Sequence, residues 1–253
     1  MSHLLQVVEL CKSYRKQLGL FRQTRVQALD HINFTLSAGQ TLAVVGETGS
    51  GKSTLAKLLV GIEQPDDGEI RLSGQAVTLS NYRKYNHVIR YMFQDAERAL
   101  NPSQKVGAML DDVLRFSTVL DRQQRQQRIL QSLQQTGLLD EHINFFPHMF
   151  SAGQLQRVAL ARALILEPKI LILDEALTVL DPTVRAQIVN LLLDLQQQQG
   201  LSYLLISKNL RLVRHISDHC LVLQDGRVVE EGPTEQLLDR PQHPHTRKLM
   251  GLS

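Results

Sequence analysis

The run Gly46-Glu-Thr-Gly-Ser-Gly-Lys-Ser-Thr54 spaces its glycines ahead of a lysine and two hydroxyls, and that pattern suits the holding of phosphate. Gly46, Gly49 and Gly51 permit a tight turn, so that backbone N–H groups and the N-terminus of the next helix aim at the phosphates of a nucleotide. Lys52 can then reach the β- and γ-phosphates and Ser53 can ligate a magnesium ion, with Glu47, Thr48, Ser50 and Thr54 completing the cradle. An ordinary glycine-rich turn could contain the same glycines. The setting favours the phosphate loop, because the apolar run Thr41 to Val45 precedes it and the helix-forming run Leu55 to Leu59 follows.

Carboxylates come from Ile170-Leu-Ile-Leu-Asp-Glu175, an apolar run ending in two acids. It reads as a buried parallel strand whose carboxyl end delivers charge to a crevice. Asp174 would complete the magnesium shell, and Glu175 would polarise a water against the γ-phosphate. Solvated acids at a strand end are common, but a buried strand beside a phosphate loop is the geometry this chemistry needs. Phe150-Ser-Ala-Gly-Gln154 offers a second anion site. Ser151 is a good N-cap, Gly153 leaves N–H groups open at the positive end of a helix dipole, and Leu155, Val158, Ala161, Ala163 and Leu164 mark an apolar face. An ordinary capped helix has the same appearance.

The elements that must position these groups alternate in type along the chain. Thr41 to Val45, Val88 to Phe93, Ile170 to Leu173 and Tyr203 to Ile206 read as a mainly parallel core joined by crossover helices. Leu4 to Tyr14, Ile32 to Leu36 and Glu69 to Leu72 read as an antiparallel edge. From about Asp95 to Leu166 the pattern turns helical, with Val106 to Phe116 and the Gln-rich Arg122 to Leu139, and Asn101-Pro102 and Phe146-Pro147 mark turns. After Gly232 a short helix is expected over Thr234 to Leu238. His243 and His245 could bind a metal, although such a pair on a tail is more often solvated.

Composition narrows the possibilities. With 253 residues, 43% of them hydrophobic, the chain can bury one substantial core with room for a subdomain. A net charge of +3, dispersed Lys and Arg, few aromatics and no Trp weaken any nucleic-acid reading. Cys11 and Cys220 stand far apart without metal-ligand spacing and are expected to be reduced thiols. No stretch approaches the roughly 20 apolar residues of a membrane span. Met1-Ser-His-Leu-Leu-Gln also lacks the basic-then-apolar order of a signal peptide, so a cytosolic chain is expected.

Together these motifs resemble the ATP-binding cassette (ABC) ATPase family over nearly the whole chain. The implied fold class is α/β, a P-loop NTPase cassette with a mainly parallel core sheet, an antiparallel β edge and an inserted helical subdomain. It would be one ATP-binding domain over residues 1–253, with core at 1–94 and 167–231, the helical subdomain with its signature at 95–166, and a tail at 232–253. Relative to the family's LSGGQ signature, Ser151, Gly153 and Gln154 match while Phe150 and Ala152 depart. Tyr91-Met-Phe-Gln94 looks like the Q-loop, which makes Gln94 the sensor of metal and attacking water. Leu180-Asp181 matches the end of the D-loop. Tyr14 sits where the family stacks an aromatic on adenine, although an aromatic in a first strand is more often core.

One position departs in a way that bears on catalysis. After the strand Tyr203 to Ile206 the family carries Ser or Thr followed by a histidine that contacts the γ-phosphate, and here the run is Ser207-Lys208-Asn209. An ammonium can hold a phosphate oxygen, but it lacks an acceptor nitrogen and a titration near neutrality. Impaired turnover at this chain's own site is therefore expected. Gly-Leu-Leu139, Phe146-Pro-His-Met149, His215-Ile-Ser-Asp218 and the His-Pro-His-Thr tail resemble the oligopeptide and dipeptide transporter subfamily. That resemblance implies ATP and Mg2+ as cofactors and peptides or small cationic solutes as cargo. It also implies membrane-spanning subunits, a second and different ABC ATPase subunit, a solute-binding protein in the wider system, no nucleic acid, and a peripheral place on the cytoplasmic side of the inner or plasma membrane. A soluble ABC ATPase acting on nucleic acid or ribosomes, and a non-hydrolysing regulatory cassette, are the alternatives.

Overall fold

The computed structural model describes residues 3–17, 23–78, 80–85, 87–93, 99–178 and 180–252. In chain order the elements are β1 (Leu5–Gln17), β2 (Gln23–Leu36), β3 (Thr41–Val45), α1 (Lys52–Leu59), β4 (Asp67–Leu72), β5 (Gln75–Ala76), α2 (Tyr82–Tyr85) and β6 (Ile89–Met92). Then come α3 (Val106–Ser117), α4 (Arg122–Gln135), α5 (Ala152–Leu164), β7 (Ile170–Asp174) and α6 (Pro182–Gln199). The chain closes with β8 (Ser202–Ile206), α7 (Leu210–Ile216), β9 (His219–Gln224), β10 (Arg227–Pro233), α8 (Thr234–Asp239) and α9 (Pro244–Leu249). These elements fall into two compact units, Met1–Asn86 with Gly200–Ser253, and His87–Gln199.

In the first unit β3 pairs in parallel with both β8 and β9, and β10 pairs antiparallel with β9 at the edge. All of β3 and β8 is buried, as expected of parallel strands covered on both faces. A separate antiparallel sheet runs in the order β2-β1-β4-β5. The antiparallel edge expected from sequence is present, but β2 starts well before Ile32. The alternation that marks Ile32, Phe34 and Leu36 as buried loses phase upstream, where the β1–β2 register shifts and His31 takes a left-handed φ of 53°. Beyond that irregularity Leu29 is the buried residue, and the strand continues outward with exposed side chains. The β9–β10 hairpin was not foreseen either. Its first strand holds only a short apolar run, Cys220 to Leu223, and its second is half-exposed, so neither shows clean alternation.

In the second unit β6 and β7 pair in parallel, with Tyr91 opposite Ile172 and Met92 opposite Leu173. Helices α3, α4 and α5 share an apolar core that includes Val106, Leu110, Leu114, Ile129, Leu133 and Val158. Along the Gln-rich α4 only Ile129, Ser132 and Leu133 are buried, so its remaining length is polar surface, as its composition suggests. Its start is fixed by Asp121, whose carboxylate accepts from the Gln124 N–H while Gln124 reaches back to the Asp121 N–H. No helix among the described residues is long and apolar enough to cross a membrane.

Candidate nucleotide site

The phosphate loop lies between β3 and α1, as its flanking residues require. Gly46 has φ 152°, and a Cβ there would lie 2.3 Å from the Leu223 carbonyl oxygen. Gly51 has φ 106°, and a Cβ there would meet the Ala28 carbonyl oxygen at 2.4 Å. Neither position has room for a side chain. Gly51 is also the N-cap of α1 and offers no side-chain acceptor, which leaves the first N–H groups of that helix turned to the loop. Lys52 is buried, and its ammonium donates to the carbonyls of Gly46 at 2.8 Å and Glu47 at 2.7 Å and to Ser50 Oγ at 3.2 Å. Its charge is thereby fixed inside the loop. Glu47, Thr48, Gly49 and Ser53 face solvent, and Thr54 is half-buried.

Tyr14 joins this loop from β1. Its ring is half-buried, and its hydroxyl lies 3.5 Å from Thr54 Oγ1 and also donates to Glu63. Desolvation, aided by Glu63, raises its phenol above the ordinary value. β8 contributes Lys208. Because Ile206 pairs in parallel with Val44, Lys208 and Gly46 leave the same end of adjacent strands, and Lys208 is exposed there. Ser207 Oγ accepts from the Asn209 N–H, and the Asn209 side chain caps α7 through the Leu212 N–H.

In the second unit β7 carries Asp174 on a wholly buried strand, and its carboxylate is 7% exposed. Tyr91 of β6 donates its hydroxyl to Asp174 Oδ2 at 2.6 Å. Glu175, the next residue, has a left-handed φ of 52°, a conformation uncommon for a residue with a side chain. Its Oε2 accepts from Thr178 Oγ1 at 2.9 Å. Ser151 caps α5 as expected, accepting from the Gln154 N–H while the Gln154 side chain accepts from the Ser151 N–H. Gly153 packs so closely on α6 that a Cβ would come within 2.8 Å of Val184 Cγ1. Asp181 caps α6, its Oδ1 accepting from the Thr183 and Val184 N–H groups at 3.0 Å each.

A family description, ABC transporter, matches residues 29–178. The chain belongs to the ABC transporter family. It is 44% identical over 247 residues to the putrescine export system ATP-binding protein SapF of Escherichia coli K12, covering 98% of this chain and 92% of that one. It is also 44% identical over 251 residues to the dipeptide transport ATP-binding protein DppF of the same strain, covering 98% and 75%. Among solved structures, CbiO1 of Clostridium perfringens, part of the ABC transporter complex CbiONQ, superimposes with a TM-score of 0.80 at 28% identity over 95% of this chain and 92% of that one. This chain is thus an ATP-binding subunit of an ABC transporter, with the cassette fold expected of it.

Within the ABC cassette the structure brings Tyr14 and Lys208 to the same unit as the P-loop, and the signature, D-loop and acidic residues Asp174 and Glu175 into the other. Gln94, expected from sequence to be the Q-loop glutamine, lies outside the described residues. Several contacts that shape the site escaped the reading of motifs. Tyr91 was quoted only as part of the expected Q-loop run, and its hydroxyl bond to Asp174 was not foreseen. Gln156 is 2% exposed on the apolar side of α5 and donates to the Ala176 carbonyl at 2.7 Å, tying the signature helix to the residue after Glu175. Arg185 sits in the first turn of α6, where the helix dipole disfavours a cation. It is oriented there by the D-loop carbonyls, with Nε on Leu177 at 3.0 Å and Nη2 on Leu180 at 2.7 Å. A buried Gln or a basic residue in a first helical turn is the signal that marks such positions.

The two possible metal clusters outside the ABC motifs have other partners. Cys11, Asp30 and His31 lie together, yet Asp30 accepts from Arg227 Nε at 2.6 Å and meets His31 Nδ1 at 2.7 Å. These contacts lower its carboxyl below the usual range, His31 contributing most, and the guanidinium would repel a cation. In the tail, His243 Nδ1 accepts from the His245 N–H and caps α9, while the His243 and Gln242 N–H groups donate to Glu230 of β10. The His-Pro-His-Thr motif therefore anchors the last helix.

Proposed function

We propose that this chain is the ATP-hydrolysing subunit of a transporter for peptides or small cationic solutes, peripheral on the cytoplasmic side of the inner or plasma membrane. The observation that carries the reading is the loop around Lys52, whose buried ammonium and open helix N-terminus form a cradle for the phosphates of ATP. The hydroxyl of Ser53 and the buried carboxylate of Asp174 are hard oxygen donors of the kind Mg2+ takes, and Gln94 would add a third. The metal would offset phosphate charge when bound. Glu175 would orient the attacking water, Tyr14 would meet the adenine, and Ser151, Gly153, Gln154 and Asp181 would face a nucleotide on a second subunit.

Partners follow from that arrangement. A chain that supplies both a P-loop and a signature works in pairs, and we assign the second place to a different ABC ATPase subunit. Membrane-spanning subunits would dock near Gln94 and the helical segment, with a solute-binding protein in the wider system and no nucleic acid. The cargo class agrees with what the named relatives handle, a dipeptide in one case and the dication putrescine in the other. A finer point rests on Lys208: we infer that this chain's site retains ATP but turns it over slowly. A fully non-hydrolysing cassette is disfavoured by the retained Glu175, which keeps a base beside the water.

The test uses the assembled complex. Glu175→Gln keeps shape and removes basicity, so it should bind ATP normally, lower this site's turnover by about 10²- to 10⁴-fold and hold the ATPase pair closed. Lys52→Ala should instead lose ATP affinity. Unchanged ATP affinity in Lys52→Ala would sink the nucleotide assignment, and recovery of ribosomal proteins rather than multispanning ones by mass spectrometry would sink the transporter.

A further inference from the structure

We propose that Tyr91 is a positioning residue that holds Asp174 ready for the metal, an inference that rests on the assignment of Asp174 as a magnesium ligand. Three observations converge on it. Tyr91 faces Ile172 across the parallel β6–β7 pair, and Asp174 lies two residues further along, on the same face of the sheet. The hydroxyl therefore reaches the carboxylate without distorting either strand, and it donates to Oδ2 at 2.6 Å. The phenol is itself steadied by Phe93, which meets it edge-on with ring centroids 4.6 Å apart.

A carboxylate on a strand end has two rotatable bonds and four lone-pair positions, and a metal selects only one orientation of them. The Tyr91 hydroxyl occupies a lone pair on one oxygen and so fixes the plane of the group before the cation arrives. Unlike a lysine or arginine, a hydroxyl does this without cancelling the negative charge the cation needs. Partners of this kind around ligating carboxylates typically account for 10- to 100-fold in metal affinity. A purely structural role, in which Tyr91 only satisfies a buried acid, would instead affect the fold with or without metal.

Tyr91→Phe removes the hydroxyl and keeps the ring. In the full chain, binding of a non-hydrolysable ATP analogue is measured by calorimetry across a series of Mg2+ concentrations and again in excess chelator. The Mn2+ resonance of the same nucleotide complex reports the ligand environment directly. The expected result is a half-saturating Mg2+ concentration raised about 10-fold, an altered Mn2+ signal and unchanged affinity in chelator. Equal losses with and without metal, or an unchanged metal dependence, overturn the inference. Asp174→Asn separates the two levels of the argument. If it abolishes the metal dependence while Tyr91→Phe leaves it untouched, only the role of Tyr91 falls, and if Asp174→Asn also changes nothing, the metal assignment falls and the inference with it.

Discussion

The slow turnover proposed for this site rests on a single residue, Lys208. It leaves β8 at the end where the P-loop leaves β3, and it is exposed there, a compact point charge without the acceptor nitrogen of an imidazole. Lys208→His should therefore preserve or raise the ATPase rate of the assembled complex, and Lys208→Ala should shorten ATP retention at this site. Rates and retention measured at limiting and saturating ATP check this, and equal values for all three side chains would mean that another group does the work. The phosphate loop was legible in the sequence because its glycines, lysine and hydroxyls stand between an apolar run and a helix-forming run, and it does lie between β3 and α1. The contacts of Tyr91, Gln156 and Arg185 were not legible: Tyr91 and Gln156 reach partners distant in sequence, and Gln156 and Arg185 belong to no motif. Asp181 shows the limit in another way. The family resemblance singles it out as the end of a D-loop, whereas its bonds to the Thr183 and Val184 N–H groups appear only in three dimensions.

Elements were legible to the degree that burial is one-sided or complete. β3, β7 and β8 are buried throughout, mostly apolar and close to the motifs, so their existence followed from sequence. β2 lost its pattern where the register shifts, and β9 and β10 offered too short a run and too exposed an edge. The β1–β4 pairing has its own sequence-invisible clasp. Asp66, just before β4, accepts from the Ser13 hydroxyl at 2.6 Å and the Ser13 N–H at 2.9 Å, with Lys12 and Arg25 nearby. The Ser13 hydroxyl is the chief cause that holds its carboxyl down to about 2, against the opposing effect of desolvation. A depressed folded value means that the stabilisation is present above the ordinary carboxylate range and is lost as pH falls through it towards 2. Thermal melts between about pH 5 and pH 2 should accordingly drop less steeply in Asp66→Asn than in the parent chain. The carboxylate is partly exposed, so the difference should also shrink in high salt. Parallel acid limbs in the two proteins would remove the clasp from the account.

At the scale of the molecule the decisive question is what moves when ATP is split, and the helical segment of the second unit is where an answer can be sought. Leading into α3 and in its first turn, Asn101, Ser103, Lys105 and Ala108 face solvent. The two native thiols make cross-linking from this stretch clean. Cys220 is fully buried and burial pushes its thiol up to about 12, and Cys11 is buried too, so neither is open to a reagent. Cysteine placed at Ser103 or Ala108 should therefore be the reactive group, and in membranes that contain the assembled transporter it should capture a multispanning protein. Cysteine at Gln126, exposed on the polar face of α4, should capture far less. If ATP binding changes the contact, adding a non-hydrolysable analogue should alter the yield from Ser103 or Ala108 but not from Gln126. Equal capture from all three positions would mean that the helical segment is surface without a dedicated partner, and the coupling of ATP to transport would have to run through another face.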